Sequence, residues 1–256
     1  VRSYAEVEAE LRRIAREVAR ACIGNLGATA GKSYKGPVAF APAAFASSFL
    51  SPLLGGISAI AVQRGRSALA GKVGETIAPG LTLIDDPTDP KVAGARAFDR
   101  EGLPARKIRL VDNGVLKTYI HNTYSAAVDK TQSTGHAQGG PRSVPGLGCH
   151  AIRIESALPD ALADEAALLA ALGTGLYIQR FSGSVDAASG DFSGTAKSAR
   201  WVENGVVVRS VNEVMLSGNA FTLLNGSTQL TRATERVGGS SQIPWALVDG
   251  VSVTAG

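Results

Sequence analysis

Residues 189–205 read SGDFSGTAKSARWVENG and combine two devices that fix the local fold. The first is a loop bracketed by glycines, in which the acid and hydroxyl side chains can bond backbone amides. The second is a β-hairpin over residues 199–208, because apolar arms flank Asn204-Gly205 and both turn residues tolerate a positive φ. Residues 107–120, KIRLVDNGVLKTYI, repeat the pattern around Asn113-Gly114 and predict another hairpin.

The remaining pattern predicts a mixed α+β domain with a mainly antiparallel, hairpin-rich sheet, open or curled toward a barrel, and a few helices. Apolar residues at helical spacing, after a capping box of Ser3 and Glu6, predict an N-terminal helix with an i,i+4 pair of Glu8 and Arg12. Residues 23–36 are predicted as a linker. Further helices are expected over residues 43–50 and 159–172, the latter closed by Gly173, and strands over residues 38–40, 81–84, 177–181 and 244–253.

Composition excludes several classes of protein. The net charge of +4 is mild and no Lys/Arg cluster is long, so nucleic-acid binding is not expected. Two cysteines, Cys22 and Cys149, provide no disulfide framework, which indicates a reducing compartment. The most apolar stretch, residues 53–62, is short and broken by glycines, and the N-terminus is charged, so neither a membrane span nor a signal peptide is expected. A cytoplasmic location follows.

Six short motifs then occur in series: FDREG at 98–102, DNG at 112–114, TGH at 134–136, GTGL at 173–176, SGDFS at 189–193 and WVENG at 201–205. Their order resembles the C-terminal domain of the TldD/PmbA family, and its PmbA (TldE) branch in particular. The resemblance implies a C-terminal domain over residues 37–256. It also implies that residues 1–36 are a helix and linker from the end of an N-terminal domain that is absent from this sequence.

In the TldD branch, the resemblance implies a zinc peptidase with a helical His-Glu-x-x-x-His motif and a further cysteine ligand near the C-terminus. The corresponding stretch here, residues 43–56, reads AAFASSFLSPLLGG. It places Leu50 and Gly55 at the histidine positions and Ser51 at the glutamate position, and residues 238–244 contain no cysteine. We therefore expect no catalytic residue, no metal ligand and no cofactor in this chain, with zinc expected in a TldD-type partner.

Other chemistry remains open at this point. A different metal site could use His121, His136, His150 and Cys149, although adjacent residues such as Cys149 and His150 rarely chelate one ion without further ligands. His136 is either a substrate or partner contact or a loop histidine bonded to backbone.

Two acidic motifs have a structural and a chemical interpretation. Asp99 and Glu101 could do acid–base work, but a turn tied by Asp99, with Gly102 at an unusual φ, is the simpler interpretation. Asp191 is expected to tie its loop together rather than to act as a nucleophile.

Together with the missing zinc ligands, the resemblance implies a non-catalytic partner subunit of a heteromeric zinc metallopeptidase that cleaves unfolded or precursor peptides. The alternatives are a diverged metallopeptidase or amide hydrolase with its own site, and a homodimeric peptide-binding scaffold. The expected partners are a TldD-type zinc peptidase subunit, or a second copy of the chain, and an unfolded peptide, without nucleic acid or membrane. The predicted substrate or partner contacts are Phe98, Asp99, Arg100, Glu101, Gly102, Thr134, Gly135, His136, Gly190, Asp191, Phe192 and Ser193.

Overall fold

The computed structural model describes residues 4–212 and 214–255, so the predicted capping box of Ser3 with Glu6 lies outside the described residues. The helices are α1 (Tyr4–Asn25), α2 (Pro42–Phe45), α3 (Ser51–Gly56), α4 (Ala59–Gln63), α5 (Thr123–Val128), α6 (Glu165–Leu172) and α7 (Ala220–Asn225), with a π-helical turn (Ala46–Leu50) between α2 and α3. The strands are β1 (Thr29–Ala30), β2 (Tyr34–Phe40), β3 (Leu81–Asp85), β4 (Ile108–Asp112), β5 (Val115–Leu116), β6 (Ala137–Gln138), β7 (Gly146–Leu147), β8 (Ile152–Ser156), β9 (Gly175–Ile178), β10 (Arg180–Val185), β11 (Asp191–Lys197), β12 (Ala199–Glu203), β13 (Val206–Asn212), β14 (Val214–Asn219), β15 (Thr228–Val237) and β16 (Ser241–Ala255).

One 14-stranded sheet dominates the fold, which confirms the α+β prediction. Its main path runs β1-β13-β12-β9-β2-β16-β8-β3-β4-β5, and β15 and the row β14-β11-β10 branch from β16. The path does not return to its start, so the expected curling toward a barrel does not produce a closed one. Most pairs are antiparallel; β1 with β13, β2 with β9, and β8 with β16 are parallel. The 15-residue strand β16 organises the sheet because different segments of it pair with β2, β8, β14 and β15.

Both Asn-Gly turns have the predicted geometry. Asn113 and Gly114 have φ of 46° and 86°, and Asn204 and Gly205 have φ of 52° and 78°. The second arm of the first hairpin is shorter than the predicted limit at residue 120, since β5 ends at Leu116. Beyond β5 the chain turns toward the helices, where the amide of residue 120 donates to the Ile57 carbonyl at 2.9 Å.

Helix α6 begins six residues later than predicted. The Asp164 carboxylate accepts a hydrogen bond from the Ala167 amide at 3.0 Å and therefore caps the helix at Glu165. The residues before it lie instead along β15, where the Arg232 amide donates to the Leu162 carbonyl at 2.8 Å. Gly173 ends the helix with a φ of 64°, as predicted.

Other boundaries also differ from the prediction. The expected linker over residues 23–36 contains the end of α1, β1 and the start of β2, and the expected strand at 177–181 divides into β9 and β10. The predicted helix over residues 43–50 continues to Gly56. Pro52 lacks an amide hydrogen, and the π-helical turn directly before α3 widens the helix so that it accommodates this proline. The last strand exceeds its predicted limits at both ends.

The main core lies between the sheet and the helical segment 42–56. The Phe49 ring contacts Phe40, Phe45 and Phe192 with centroid separations of 5.1, 5.2 and 5.4 Å. All four rings are almost fully buried. The segment 42–56 is therefore held firmly against the sheet by aromatic packing.

The N-terminal helix α1 is amphipathic but open to solvent. Its Glu8–Arg12 ion pair forms at 2.8 Å as predicted. Leu11, Ile14 and Val18 are all exposed, so their stripe is not covered by the described residues. No helix in the described part of the chain combines the length and the apolar composition that crossing a bilayer requires.

Gly114 provides a test of the turn geometry. A Cβ there would lie 2.7 Å from the Ala78 carbonyl oxygen and 2.8 Å from Pro79 Cα, in addition to the cost of a positive φ. We expect Gly114→Ala to lower the free energy of unfolding by about 3 kcal/mol. Gly238→Ala is the control, because Gly238 has a φ of 61° but no atom near the Cβ position; its expected cost is about 1 kcal/mol. Equal losses in urea denaturation would contradict the predicted clash.

Candidate functional site

An apolar cleft of about 590 Å³ lies beside helices α3 and α4. The turn after β10 and the segment from β7 toward β8 also contribute to its lining. Arg66 supplies the charged group of the lining. The cleft is lined by Leu54, Gly55, Ser58, Ala61, Arg66, Ile120, Leu147, Gly148, Cys149, Ala187 and Ala188.

The helix that would carry the zinc motif forms part of this cleft but has no ligands. Leu50 is buried in the core, and Ser51 is exposed. A Cβ on Gly55 would lie 2.6 Å from Ala187 Cβ, closer than two such atoms can approach. A histidine at position 55 would therefore displace the Ala187 turn. These residues do not fit the zinc site that the resemblance describes for TldD.

The FDREG and TGH motifs come together in the fold. The Asp99 carboxylate accepts hydrogen bonds from the amides of Glu101 at 2.9 Å, Leu103 at 3.0 Å and Ala137 at 3.1 Å. Gly102 has a φ of 82°, so the interpretation as a tied turn is confirmed. Asp99 is buried and has its oxygens occupied, which argues against a role in proton transfer.

The neighbouring side chains of the FDREG motif form hydrogen bonds to other segments. Glu101 accepts hydrogen bonds from the Thr123 amide and hydroxyl, both at 2.8 Å, at the start of α5. Arg100 donates from Nη2 to the Ser143 carbonyl at 3.0 Å. Phe98 is 62% exposed. A shallow surface pocket of about 540 Å³ is lined by Arg96, Phe98, Asp99, Arg100, Ala137, Gln138 and Gly139.

His136 of the TGH motif is only 2% exposed, so its side chain is closed off from the surface. Its Nδ1 lies 3.0 Å from the Thr134 carbonyl and 2.8 Å from Thr134 Oγ1. The Thr134 hydroxyl donates its own hydrogen to the His121 carbonyl at 3.1 Å. Both Thr134 oxygens therefore present lone pairs to Nδ1, which must carry the imidazole hydrogen.

The opposite nitrogen of His136 faces a buried carboxylate. Nε2 lies 3.1 Å from Asp85 Oδ2, but no aligned hydrogen bond to it forms. Asp85 Oδ1 accepts from the Ala151 amide at 2.6 Å, and the His150 amide donates to both carboxylate oxygens at 3.1 Å. Burial alone would raise the pKa of Asp85, yet His136 and these amides together hold it below its ordinary value, so the carboxylate is ionised.

Cys149 completes a three-residue cluster. One ligand atom from each of Asp85, His136 and Cys149 lies within 4.8 Å of the other two. Cys149 also lines the apolar cleft. Burial, followed by the Asp85 charge, raises the pKa of the Cys149 thiol, which is therefore protonated at neutral pH and is a weak nucleophile.

The other two histidines considered from the sequence lie differently. The His150 ring stacks on His136 with centroids 6.3 Å apart, and its Nδ1 lies 2.7 Å from Gln138 Nε2. Burial and the Arg96 charge lower the pKa of His150 to about 4. His121 Nδ1 lies 3.3 Å from Ser125 Oγ, outside the cluster. Sequence reasoning named His136 and Cys149 but missed Asp85, which no motif marks.

The GDFS loop is a separate structural unit. Asp191 accepts hydrogen bonds from Asn219 Nδ2 and Ser189 Oγ at 2.8 and 2.9 Å, and so it ties the loop as expected. Phe192 belongs to the core. Among the predicted contacts, the exposed ones are Phe98, Gly102, Asp191 and Ser193, the partly exposed ones are Arg100 and Glu101, and the buried ones are Asp99, Thr134, Gly135, His136, Gly190 and Phe192. Contact with substrate or partner stays a prediction for the exposed members.

Comparison with known proteins identifies the family of this chain. The family model described as the PmbA/TldA metallopeptidase C-terminal domain matches residues 33–255. This chain belongs to the PmbA/TldD family. It is 31% identical over 205 residues to metalloprotease PmbA of Escherichia coli O157:H7, covering 79% of this chain and 42% of that protein. It is 28% identical over 168 residues to a metalloprotease TldD homolog of Buchnera aphidicola, covering 63% and 33%.

A solved structure agrees with this assignment to the PmbA/TldD family. The crystal structure of TldE from Thermococcus kodakarensis matches with a TM-score of 0.83 and 27% identity, covering 97% of this chain and 56% of that one. The present chain therefore spans about half the length of the relatives that it matches.

Asp99 provides a test of the tied loops in this PmbA/TldD family chain. Asp99→Ala leaves the amides of Glu101, Leu103 and Ala137 without their acceptor, and we expect a loss of about 3 kcal/mol in unfolding free energy. Asp99→Asn keeps one oxygen acceptor and should lose about half as much. Hydrogen exchange at Ala137 should accelerate in both variants. Unchanged exchange there would contradict the proposed link between the two loops.

Asp191 provides a pH-dependent test. Its hydrogen bonds from Asn219 and Ser189 hold the pKa of Asp191 below the ordinary 3.8. A depressed folded-state pKa gives stability that is present above pH 3.8 and is lost as pH falls through the folded value. Asp191→Asn should therefore be less stable than wild type at neutral pH, and the difference should shrink below pH 3.8. Asp160→Asn, at an exposed position, is the control; a pH-independent difference for Asp191→Asn would refute this.

Proposed function

We propose that this chain is a PmbA/TldE-type, non-catalytic partner subunit of a heteromeric zinc metallopeptidase that cleaves unfolded or precursor peptides. The zinc and its activated water would belong to a TldD-type subunit. The observation that carries the proposal is the helical segment 42–56, which lines a cleft but offers Leu50, Ser51 and Gly55 in place of ligands. The space beside Gly55 is occupied by Ala187, so the zinc-motif position is filled with small apolar groups.

The cleft suits an extended peptide with apolar side chains. Its walls include Leu54, Ile120 and Leu147, and Arg66 can pair with a peptide carboxylate. A binding surface of this composition favours unfolded segments, because folded proteins bury the side chains that the cleft would accept. The proposed role is to hold such a segment within reach of the partner's metal.

A free strand edge adjoins the cleft. Among the described residues, β10 pairs with β11 alone, so one side of its backbone has no strand partner. Ser182, Gly183 and Ser184 on this strand are exposed. The strand ends at Val185, two residues before Ala187 of the cleft wall. A peptide can add to such an edge through main-chain hydrogen bonds, which bind without regard to sequence.

Exposed members of the predicted contact set remain available to a partner subunit. Phe98 projects beside the shallow pocket near Arg96 and Arg100. Aromatic residues and arginines are enriched at the centres of protein–protein interfaces. We assign this patch to the TldD-type partner and the cleft to the peptide. The proposal includes a cytoplasmic location.

The decisive experiment combines the chain with a TldD-type zinc subunit. We expect a stoichiometric complex in size-exclusion chromatography, and we expect cleavage of an unfolded peptide by the complex but not by this chain alone. Chelator-sensitive cleavage by the chain alone would favour the alternative of a diverged peptidase with its own site. Self-association without binding of the zinc subunit would favour the homodimeric scaffold.

A substitution in the cleft tests the peptide site. Ala61→Trp fills the cleft from helix α4, and we expect at least a tenfold rise in the KM of the complex for peptide, since loss of about 1.4 kcal/mol of binding is tenfold. Ala163→Trp, at an exposed position outside the cleft, is the matched control. Equal effects of the two substitutions would contradict peptide binding in the cleft.

A further inference from the structure

We propose that Asp85, His136 and Cys149 form a binding site for a thiophilic divalent cation, for which zinc is the best fit. The site is separate from the helix of the TldD zinc motif and uses none of its positions. It lies where the end of β3, the TGH loop and the segment before β8 meet. The donor set of imidazole nitrogen, thiolate sulfur and carboxylate oxygen is one that zinc accepts in proteins.

The tautomer of His136 is the first argument. Because Thr134 presents only lone pairs to Nδ1, the hydrogen of the neutral ring resides there. Nε2 then presents its own lone pair to Asp85 Oδ2, which is 3.1 Å away. Two lone pairs in a buried site repel unless a cation or a proton lies between them. A backbone carbonyl on the remote nitrogen is also the usual support of a metal-binding histidine.

The unpartnered state of Nε2 is the second, independent argument. His136 is almost fully buried, yet Nε2 forms no aligned hydrogen bond. Buried polar atoms without a partner are uncommon and indicate a missing water or ion. The atom points into the cluster of Asp85 and Cys149, where a ligand would complete its bonding.

Charge balance is the third argument. Asp85 is fully buried. Its Oδ1 accepts from the Ala151 amide, the His150 amide is shared between Oδ1 and Oδ2, and Oδ2 is the oxygen that faces His136 Nε2 at 3.1 Å. A divalent cation bound by the Asp85 carboxylate and a Cys149 thiolate gives a neutral unit. A neutral unit is much cheaper to bury than an isolated charge.

The distances fit after a modest contraction. Zinc bonds of 2.0–2.3 Å in a tetrahedron place neighbouring ligand atoms about 3.3–3.8 Å apart. The three donor atoms already lie within 4.8 Å of one another, and the Asp85–His136 pair lies at 3.1 Å. Cys149 lines the apolar cleft, which provides an entry path for the ion.

This inference departs from the expectation that the chain carries no metal ligand. The alternative metal site considered from the sequence used His121, His136, His150 and Cys149. The cluster in the structure contains Asp85 in place of His121 and His150. The metal site does not depend on the partner role: a chain that binds zinc here and still requires a TldD-type subunit for cleavage satisfies both proposals.

The test is zinc binding by the untagged chain after chelator treatment. We expect one zinc per chain in a competition titration with a chromophoric chelator. Cobalt(II) in place of zinc should give a thiolate charge-transfer band in the near-ultraviolet. Cys149→Ser and His136→Gln should each weaken zinc binding at least about 100-fold, since even outer-shell changes cost 10–100-fold, and Cys149→Ser should abolish the cobalt band.

Matched controls separate this site from adventitious binding. Cys22→Ser removes the exposed cysteine on α1, and Asp86→Asn alters the neighbour of Asp85; both should leave affinity and spectrum unchanged. Failure of the folded wild-type chain to bind zinc would overturn the proposal. Binding that survives Cys149→Ser and His136→Gln, or that is lost with Cys22→Ser, would also overturn it. Circular dichroism verifies that each variant folds.

Discussion

A buried negative charge on Asp85 sets the conditions that the surrounding loops must satisfy. The carboxylate has no solvent exposure. Amides of the segment entering β8 stabilise its charge, and the His136 ring lies 3.1 Å away. His136 in turn is fixed by Thr134, which bonds the backbone of His121. One charge therefore connects β3 to three other segments, and the wall of the cleft at Cys149 depends on that connection.

The structure also shows what holds the segment that the resemblance aligns with the TldD zinc motif. The segment 42–56 keeps its place because Phe45 and Phe49 pack into the core, independently of any metal. Gly55, which the resemblance places at the second histidine of that motif, lies in close contact with Ala187. Packing thus preserves the cleft, and small residues occupy the space that an imidazole would need.

Turns and loops that depend on neighbouring residues could be predicted from the sequence, but contacts between distant segments could not. The turns at Asn113 and Asn204, and the loop tied by Asp99, follow from chemistry within a few residues. The start of α6 was missed because the cap at Asp164 competes with an alanine-rich pattern that begins earlier. Asp85 was missed because it precedes Asp-Pro and resembles an ordinary turn; only the pairing of β3 with β8 brings it to His150 and His136.

The open side of β10 has a consequence for handling the protein. One edge of this serine- and glycine-rich strand has no strand partner among the described residues, so it can pair with the same edge of another molecule. Because each molecule offers one such edge, this contact closes at two copies. Arg180 is the only formally charged side chain on this strand. Concentrated solutions should therefore tend toward dimers joined through β10, and a peptide bound at this edge would keep the molecules apart.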